Sequence, residues 1–99
     1  MTTTRYANAL ECAALSLMEE YQAGTWAPMP EERKLADGLA RVQWSPHSFR
    51  AGLRELPPAV HEGRLVGVLD LAVPALEDNG ADGALLSLHV LIDALAAEI

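Results

Sequence analysis

Residues 65–99 read LVGVLDLAVPALEDNGADGALLSLHVLIDALAAEI, and no other part of the chain is as apolar. The same segment carries six carboxylates and no Lys or Arg. It can bury its apolar stripes only if the carboxylates stay outside, so the surface that it leaves is negative. Such a surface repels phosphate groups and attracts a basic partner. The candidate residues of this acidic face are Glu77, Asp78, Asp82 and Asp93.

The second half of this segment predicts a helix over residues 82–98, with Asp82 as its cap. Its apolar residues form two stripes, whereas an amphipathic surface helix needs only one. The first stripe consists of Leu85, Leu88, His89, Ile92, Leu95, Ala96 and Ile99, and the second of Leu86, Val90 and Ala97. We expect such a helix either to lie at the centre of a bundle or to share a face with another chain. In the second case the face is an interface with a partner protein or with further copies of the chain, as in a homodimer, and the candidate interface residues are Leu86, His89, Val90 and Ala97.

The first half of the segment belongs to another predicted helix, over residues 59–77, because its apolar residues recur at helical spacing. Gly63 and Gly67 weaken this prediction, and Pro74 must kink or break the helix. A buried strand over residues 65–71 is the alternative. We favour the helix because no other segment alternates with period two, so that a strand would have no pairing partner.

Local signals define three more helices upstream. Gly24 is placed to end the first helix in a left-handed conformation. Glu31 and Glu32 complement the positive end of the second helix dipole, and we expect adjacent carboxylates of this kind to be solvated. Ser45 is a cap for the third helix, with Pro46 in its first turn. The fold prediction is an all-α, compact bundle of about five helices in a single domain, with helices at residues 4–23, 31–43, 46–56, 59–77 and 82–98.

Composition narrows the class of protein. The chain of 99 residues is 51% hydrophobic but only 5% aromatic, which favours a helical core of Leu, Val and Ala. Its net charge of −7 argues against general binding to nucleic acid or to an anionic membrane, and no apolar run is long enough to span a membrane. Cys12, the only cysteine, is expected to be a small buried apolar side chain. Without an export signal at the N-terminus, we predict a cytoplasmic protein, and the excess of Arg over Lys favours a bacterial or phage origin.

Charge is spread unevenly along the chain, with net charges of −4 over residues 1–32, +3 over residues 33–64 and −6 over residues 65–99. In the middle block His47, Arg50 and Arg54 recur at helical spacing on one face of the third helix. Together with the preceding basic and aromatic residues, the partner-binding candidates are Arg41, Trp44, His47, Arg50 and Arg54. The alternative interpretation is internal, with the arginines neutralising the acidic first and last helices and Trp44 lying in the core.

No residue pattern predicts a catalytic, metal or cofactor site. The three histidines, His47, His61 and His89, lack the spacing of metal ligands. Adjacent carboxylates on a helix point about 100° apart, which does not suit a shared acid and base site. We therefore predict no cofactor and a chain that is not an enzyme.

The leading functional hypothesis is a non-enzymatic protein–protein interaction module. In its concrete form the chain is a small acidic inhibitor or immunity-type protein that blocks a basic surface of its target. One alternative is a nucleic-acid-associated regulator that uses the basic third helix, although the overall acidity makes nucleic acid an unfavourable partner. Another is a small enzyme or enzyme subunit with a site near His47 or His61.

Overall fold

The computed structural model describes residues 2–41, 45–56, 58, 61, 63–78 and 82–98. Five helices run through them, and no strand occurs in these ranges. The helices are α1 (Thr2–Ala23), α2 (Pro30–Arg41), α3 (Pro46–Arg54), α4 (Arg64–Glu77) and α5 (Asp82–Ala96). The predicted all-α class is confirmed, and residues 65–71 are helical, so the alternative of a strand there is wrong.

Four helix ends, at residues 23, 46, 77 and 82, match the predicted bounds, and the others differ by one to five residues. The largest difference is at α4, which begins at Arg64 and not at residue 59, because Gly63 has an extended backbone, with φ −73° and ψ 152°. The end of α3 comes two residues early, since the Glu55 N–H already donates to the carbonyls of Gly52 and Leu53. Asp82 is itself the first residue of α5 and lies in its first turn.

Two of the predicted end signals act as expected. Gly24 has φ +79°, the left-handed conformation that glycine adopts without steric cost. Before α3, the Ser48 N–H donates to Ser45 Oγ at 3.1 Å, and Pro46 follows in the first turn. Pro74 lies inside α4, and the helix continues beyond it to Glu77.

The five helices pack as a chain of neighbours. Helix α5 packs against α1 and α2, while α4 packs against α1 and α3. Going round the bundle, the order is therefore α2, α5, α1, α4 and α3. The core inside this arrangement consists of Leu10, Ala14, Leu17, Trp26, Ala36, Leu39, Phe49, Leu65, Val68, Leu69, Ala72, Val73, Ala75, Ala84, Leu88, Leu91, Ile92 and Leu95.

Helix α1 is buried on one side only, and this corrects the prediction for Cys12. Leu10, Ala14 and Leu17 recur at three- and four-residue steps and are buried. Cys12 is two residues beyond Leu10, which turns it about 200° away, and its side chain is exposed. The expectation of a buried thiol is therefore wrong.

One carboxylate is buried among the described residues, and it joins two helix starts. The Glu32 side chain is 2% exposed. The Met29 N–H donates to its Oε1 at 3.1 Å, and the Leu65 N–H donates to its Oε2 at 3.2 Å. The first bond satisfies a free N–H at the start of α2 and the second does so at the start of α4. Glu32 is therefore a structural residue, and the expectation that it is solvated is wrong.

We expect Glu32→Gln to lower the free energy of unfolding by about 1–3 kcal/mol, measured by urea denaturation. A glutamine keeps one acceptor oxygen but places an NH2 group against the second backbone N–H, which then stays buried and unpaired. The control is Glu19→Gln, an exposed carboxylate on α1, which should change stability by no more than about 0.5 kcal/mol. If both variants unfold at the wild-type urea concentration, the Glu32 bonds do not tie the helices together.

Gly67 offers a second test of the fold because it is an exposed glycine inside α4. A Cβ built there meets nothing within 4 Å. We expect Gly67→Ala to raise the free energy of unfolding by about 0.5–1 kcal/mol, since alanine loses less backbone entropy in a helix. A loss of stability in thermal unfolding would mean that residue 67 is not in an open helical position.

Candidate protein-binding surfaces

A seam runs between α2 and α3, which approach each other at Gly52. The two helices follow each other in the chain, but α2 packs against α5 and α3 packs against α4. The seam forms a groove of about 680 Å³, which is within the usual range for binding pockets. The groove is lined by Glu31, Lys34, Leu35, Gly38, Leu39, His47, Ser48, Ala51, Gly52, Glu55 and Leu56.

Small residues keep the middle of this groove open. A Cβ added to Gly52 would lie 3.9 Å from Leu35 Cδ1 and from Leu39 Cδ2, so the two helices already touch there. A Cβ on Gly38 would meet nothing within 4 Å. The remaining small side chain is Ala51, which is exposed on the α3 wall. Larger side chains at these positions would fill the groove.

The groove carries charges of both signs. Glu31 in the first turn of α2 and Glu55 at the end of α3 are acidic, and Lys34 of α2 is basic. His47 of α3 adds an imidazole to the lining. The groove is therefore a mixed surface in which apolar residues such as Leu35, Leu39 and Leu56 lie among polar ones.

The predicted basic patch is partly neutralised within the fold. Arg50 of α3 forms an ion pair with Glu77 of α4, and Arg41 pairs with Asp37 at 2.9 Å. Both pairs are internal, but their carboxylates lie on α2 and α4, and not on the first and last helices where the alternative interpretation expected them. Arg54 and His47 are exposed, and His47 lines the groove. The candidate residue Trp44 lies outside the described residues.

The predicted acidic face divides into two groups. Glu77 and Asp78 lie at the end of α4. Glu77 forms the ion pair with Arg50, and Asp78 is exposed. Asp82 and Asp93 are exposed on α5, eleven residues apart. They therefore lie close to the same line along the helix, beside the exposed apolar residues Leu86, Val90 and Ala97.

The outer face of α5 is apolar and uncovered. Leu86 is 66% exposed and Val90 is 46% exposed, although both are large aliphatic side chains one turn apart. Ala97 is exposed on the same side. The second predicted stripe of this helix is therefore on the surface, while buried residues of the first stripe such as Leu88, Ile92 and Leu95 form part of the core. From here on, "the α5 face" means Leu86, Val90 and Ala97 with Asp82 and Asp93 beside them.

His89 differs from the other candidate interface residues because its side chain is partly buried. Burial lowers its pKa below the usual value for histidine, and the negative charge of Asp93 opposes this shift. His61, the other histidine considered for a site, is exposed and does not line the groove.

Sequence reasoning did not find the α2–α3 groove. Gly38 and Gly52, inside the predicted second and third helices, are the one signal that pointed to it, since glycine in a helix often marks a close approach or a space. Within the described ranges, no three His, Cys, Asp or Glu side chains come together to hold a metal ion. None of the described helices is long and apolar enough to cross a membrane.

Comparison with known protein families, with curated protein sequences and with solved structures found no match.

The lowered pKa of His89 gives a prediction about acid stability. Below about pH 6.5 an unfolded histidine binds a proton more readily than His89 does in the fold, so protonation favours unfolding. We expect the wild-type free energy of unfolding to fall more steeply than that of His89→Gln as the pH is lowered from about 7 to about 5. Urea denaturation across this range measures the difference. Parallel curves for the two proteins would contradict the assignment.

Proposed function

We propose that this chain is a non-enzymatic protein-binding module whose α5 face binds a protein with a basic and apolar surface. The concrete form of the proposal is a small acidic inhibitor or immunity-type protein. The single observation that carries it is the exposure of Leu86 (66%) and Val90 (46%) beside Asp82 and Asp93, on a segment with no Lys or Arg.

The apolar part of this face supplies anchors. Burying an exposed Leu or Val side chain contributes about 1.5–3 kcal/mol, and a few such residues dominate most interfaces. Leu86 and Val90 are one helical turn apart on a helix held by α1 and α2, so they are ordered before any partner arrives. The cost of ordering them on binding is therefore small.

The carboxylates beside these anchors favour a partner of positive charge. Asp82 and Asp93 are exposed, with no cation in residues 65–99 to neutralise them. Charges at the rim of an interface increase the rate of association with a partner of opposite charge and select against a partner of like charge. A basic surface with an apolar centre fits this arrangement.

Ion pairs within the chain make nucleic acid a less favourable partner for the basic third helix. Arg50 and Arg41 are each paired with a carboxylate of the same chain. A phosphate would have to compete with these carboxylates, in a chain of net charge −7.

The proposal is tested by a quantitative pull-down from extract of the cells that make the chain. Wild-type protein should retain a basic partner that is released by salt. The double variant Leu86→Asp, Val90→Asp should retain at least about tenfold less of it, because both anchors are lost and negative charge is added. The control Ala9→Asp, at an exposed position of α1, adds a charge elsewhere and should retain the wild-type amount.

Circular dichroism should show that all three proteins are folded. The proposal is wrong if the wild type and the double variant retain every protein of the extract in equal amounts.

A further inference from the structure

The exposed aliphatic side chains are not confined to α5. Of the described residues, three large aliphatic side chains are exposed, and one of them, Leu15 at 42%, is on α1. The other two are Leu86 and Val90 of the α5 face. Helices α1 and α5 pack against each other. Whether the three side chains share one surface depends on the direction of the two helices and on the side of α1 that carries Leu15.

Helices α1 and α5 run in the same direction. An ion pair between Arg64 and Glu20 joins the start of α4 to the end of α1, so these two helices are antiparallel. Four residues connect α4 to α5, which are too few to run back along α4, so α5 begins near the end of α4 and returns beside α1. Burial and the nearby carboxylate of Glu98, just after α5, raise the pKa of the Tyr21 hydroxyl near the end of α1, which agrees with this direction.

Leu15 is on the side of α1 that is next to α5. Glu20 marks the side that faces α4, because it pairs with Arg64. Met18 is two residues before Glu20, about 160° away round the helix, and it packs against the core, so it lies on the α5 side. Leu15 is one turn before Met18 and about 140° from Glu20. It therefore lies just outside Met18, at the outer edge of the contact between α1 and α5.

Leu15 also lies at the height of the α5 face. Tyr21 and Glu98 are close together near the ends of the two helices. Leu15 is six residues before Tyr21, whereas Val90 and Leu86 are eight and twelve residues before Glu98. The two α5 side chains therefore lie about 3 Å and about 9 Å from the height of Leu15 along the helix axes. All three border the shallow valley between α1 and α5, within two helical turns.

Carboxylates flank these aliphatic side chains on both helices. On α1, Glu11 and Glu19 lie four residues before and after Leu15, on the same face. Glu19 is exposed and Glu11 is partly buried. On α5 the flanking carboxylates are Asp82 and Asp93. None of these four forms one of the three ion pairs within the described ranges. From here on, "the α1–α5 surface" means the three aliphatic side chains and these four carboxylates.

We propose that the α1–α5 surface binds a basic amphipathic helix of the partner protein. The inference rests on the proposed function, because it uses the same α5 residues. It adds α1 to the binding surface, with Leu15 as a third anchor, and it names the structure of the partner segment.

The shape and charge of the α1–α5 surface suit such a helix. The axes of packed helices are about 8–10 Å apart, close to the diameter of a helix with its side chains, so one further helix fits the valley between them. A single apolar stripe then contacts Leu15 on one wall and Val90 on the other. Lys and Arg residues on the two sides of the stripe reach the carboxylates of α1 and those of α5.

A synthetic peptide of Leu and Lys, about five helical turns long, tests the proposal. Its leucines form one stripe with lysines on both sides, and a control peptide has the same composition in an order without a stripe. Fluorescence anisotropy measures the affinity. Wild-type protein should bind the striped peptide at least about tenfold more tightly than the control peptide. A striped peptide with Glu in place of Lys should bind no better than the control.

Variants of the chain locate the binding site. Leu15→Asp should bind the striped peptide at least about tenfold more weakly than the wild type, and so should Leu86→Asp, Val90→Asp. The control Ser16→Asp adds the same charge at the next residue of α1, which is exposed and turned about 100° from Leu15 towards α4. It should bind as the wild type does. Circular dichroism and thermal unfolding show that each variant is folded.

The proposal is overturned if Leu15→Asp binds the striped peptide as the wild type does, or if the two lysine peptides bind equally. Self-association of the chain that Leu15→Asp abolishes would also overturn it, because a second copy would then occupy the surface. Failure of the proposed function is a separate result. If Leu15→Asp retains the cellular partner in the wild-type amount and the α5 double variant does not, the partner uses α5 alone, and only this inference fails.

Discussion

The arrangement of helices depends on where one buried carboxylate lies. Glu32 accepts the backbone N–H groups of Met29 and Leu65, and so holds the start of α2 beside the start of α4. A carboxylate hidden from water needs such donors, because burying it without them costs several kcal/mol. Helix α3 is fixed to α4 at another point, through Arg50 and Glu77. Helices α2 and α3 are therefore both tied to α4, at two different points, and the groove lies between them.

Helix α5 has apolar residues on both its inner and its outer side. Its inner residues, including Leu88, Leu91 and Ile92, are completely buried between α1 and α2. Its outer residues Leu86 and Val90 contribute little to that core. A sequence that needed only a stable bundle would gain solubility from polar residues at these two positions. Their exposure is therefore the strongest reason to look for function in binding.

Much of the fold could be predicted from the sequence, but less of the binding surface. Helical spacing and end signals such as Gly24 and Ser45 are local, so they predicted the helices to within a few residues. The two stripes of α5 left open whether the second stripe is buried, and the structure has its residues Leu86 and Val90 on the surface. The burial of Glu32 could not be predicted, because Glu31 and Glu32 both lie in the first turn of α2 and only Glu32 is buried. The difference arises from Leu65, which is 33 residues away in the chain. The groove could not be predicted either, because it depends on how the helices pack against one another.

The proposed binding function depends on the α5 face. Its most direct test is a pair of amide NMR spectra of the chain, recorded alone and with the protein that it retains from cell extract. We expect the shifted amide signals to lie along α5 around Leu86 and Val90, with the signals of the buried middle of α4 unchanged. Binding that leaves the α5 signals in place, or that shifts only the signals of another helix, would show that the partner uses a different surface.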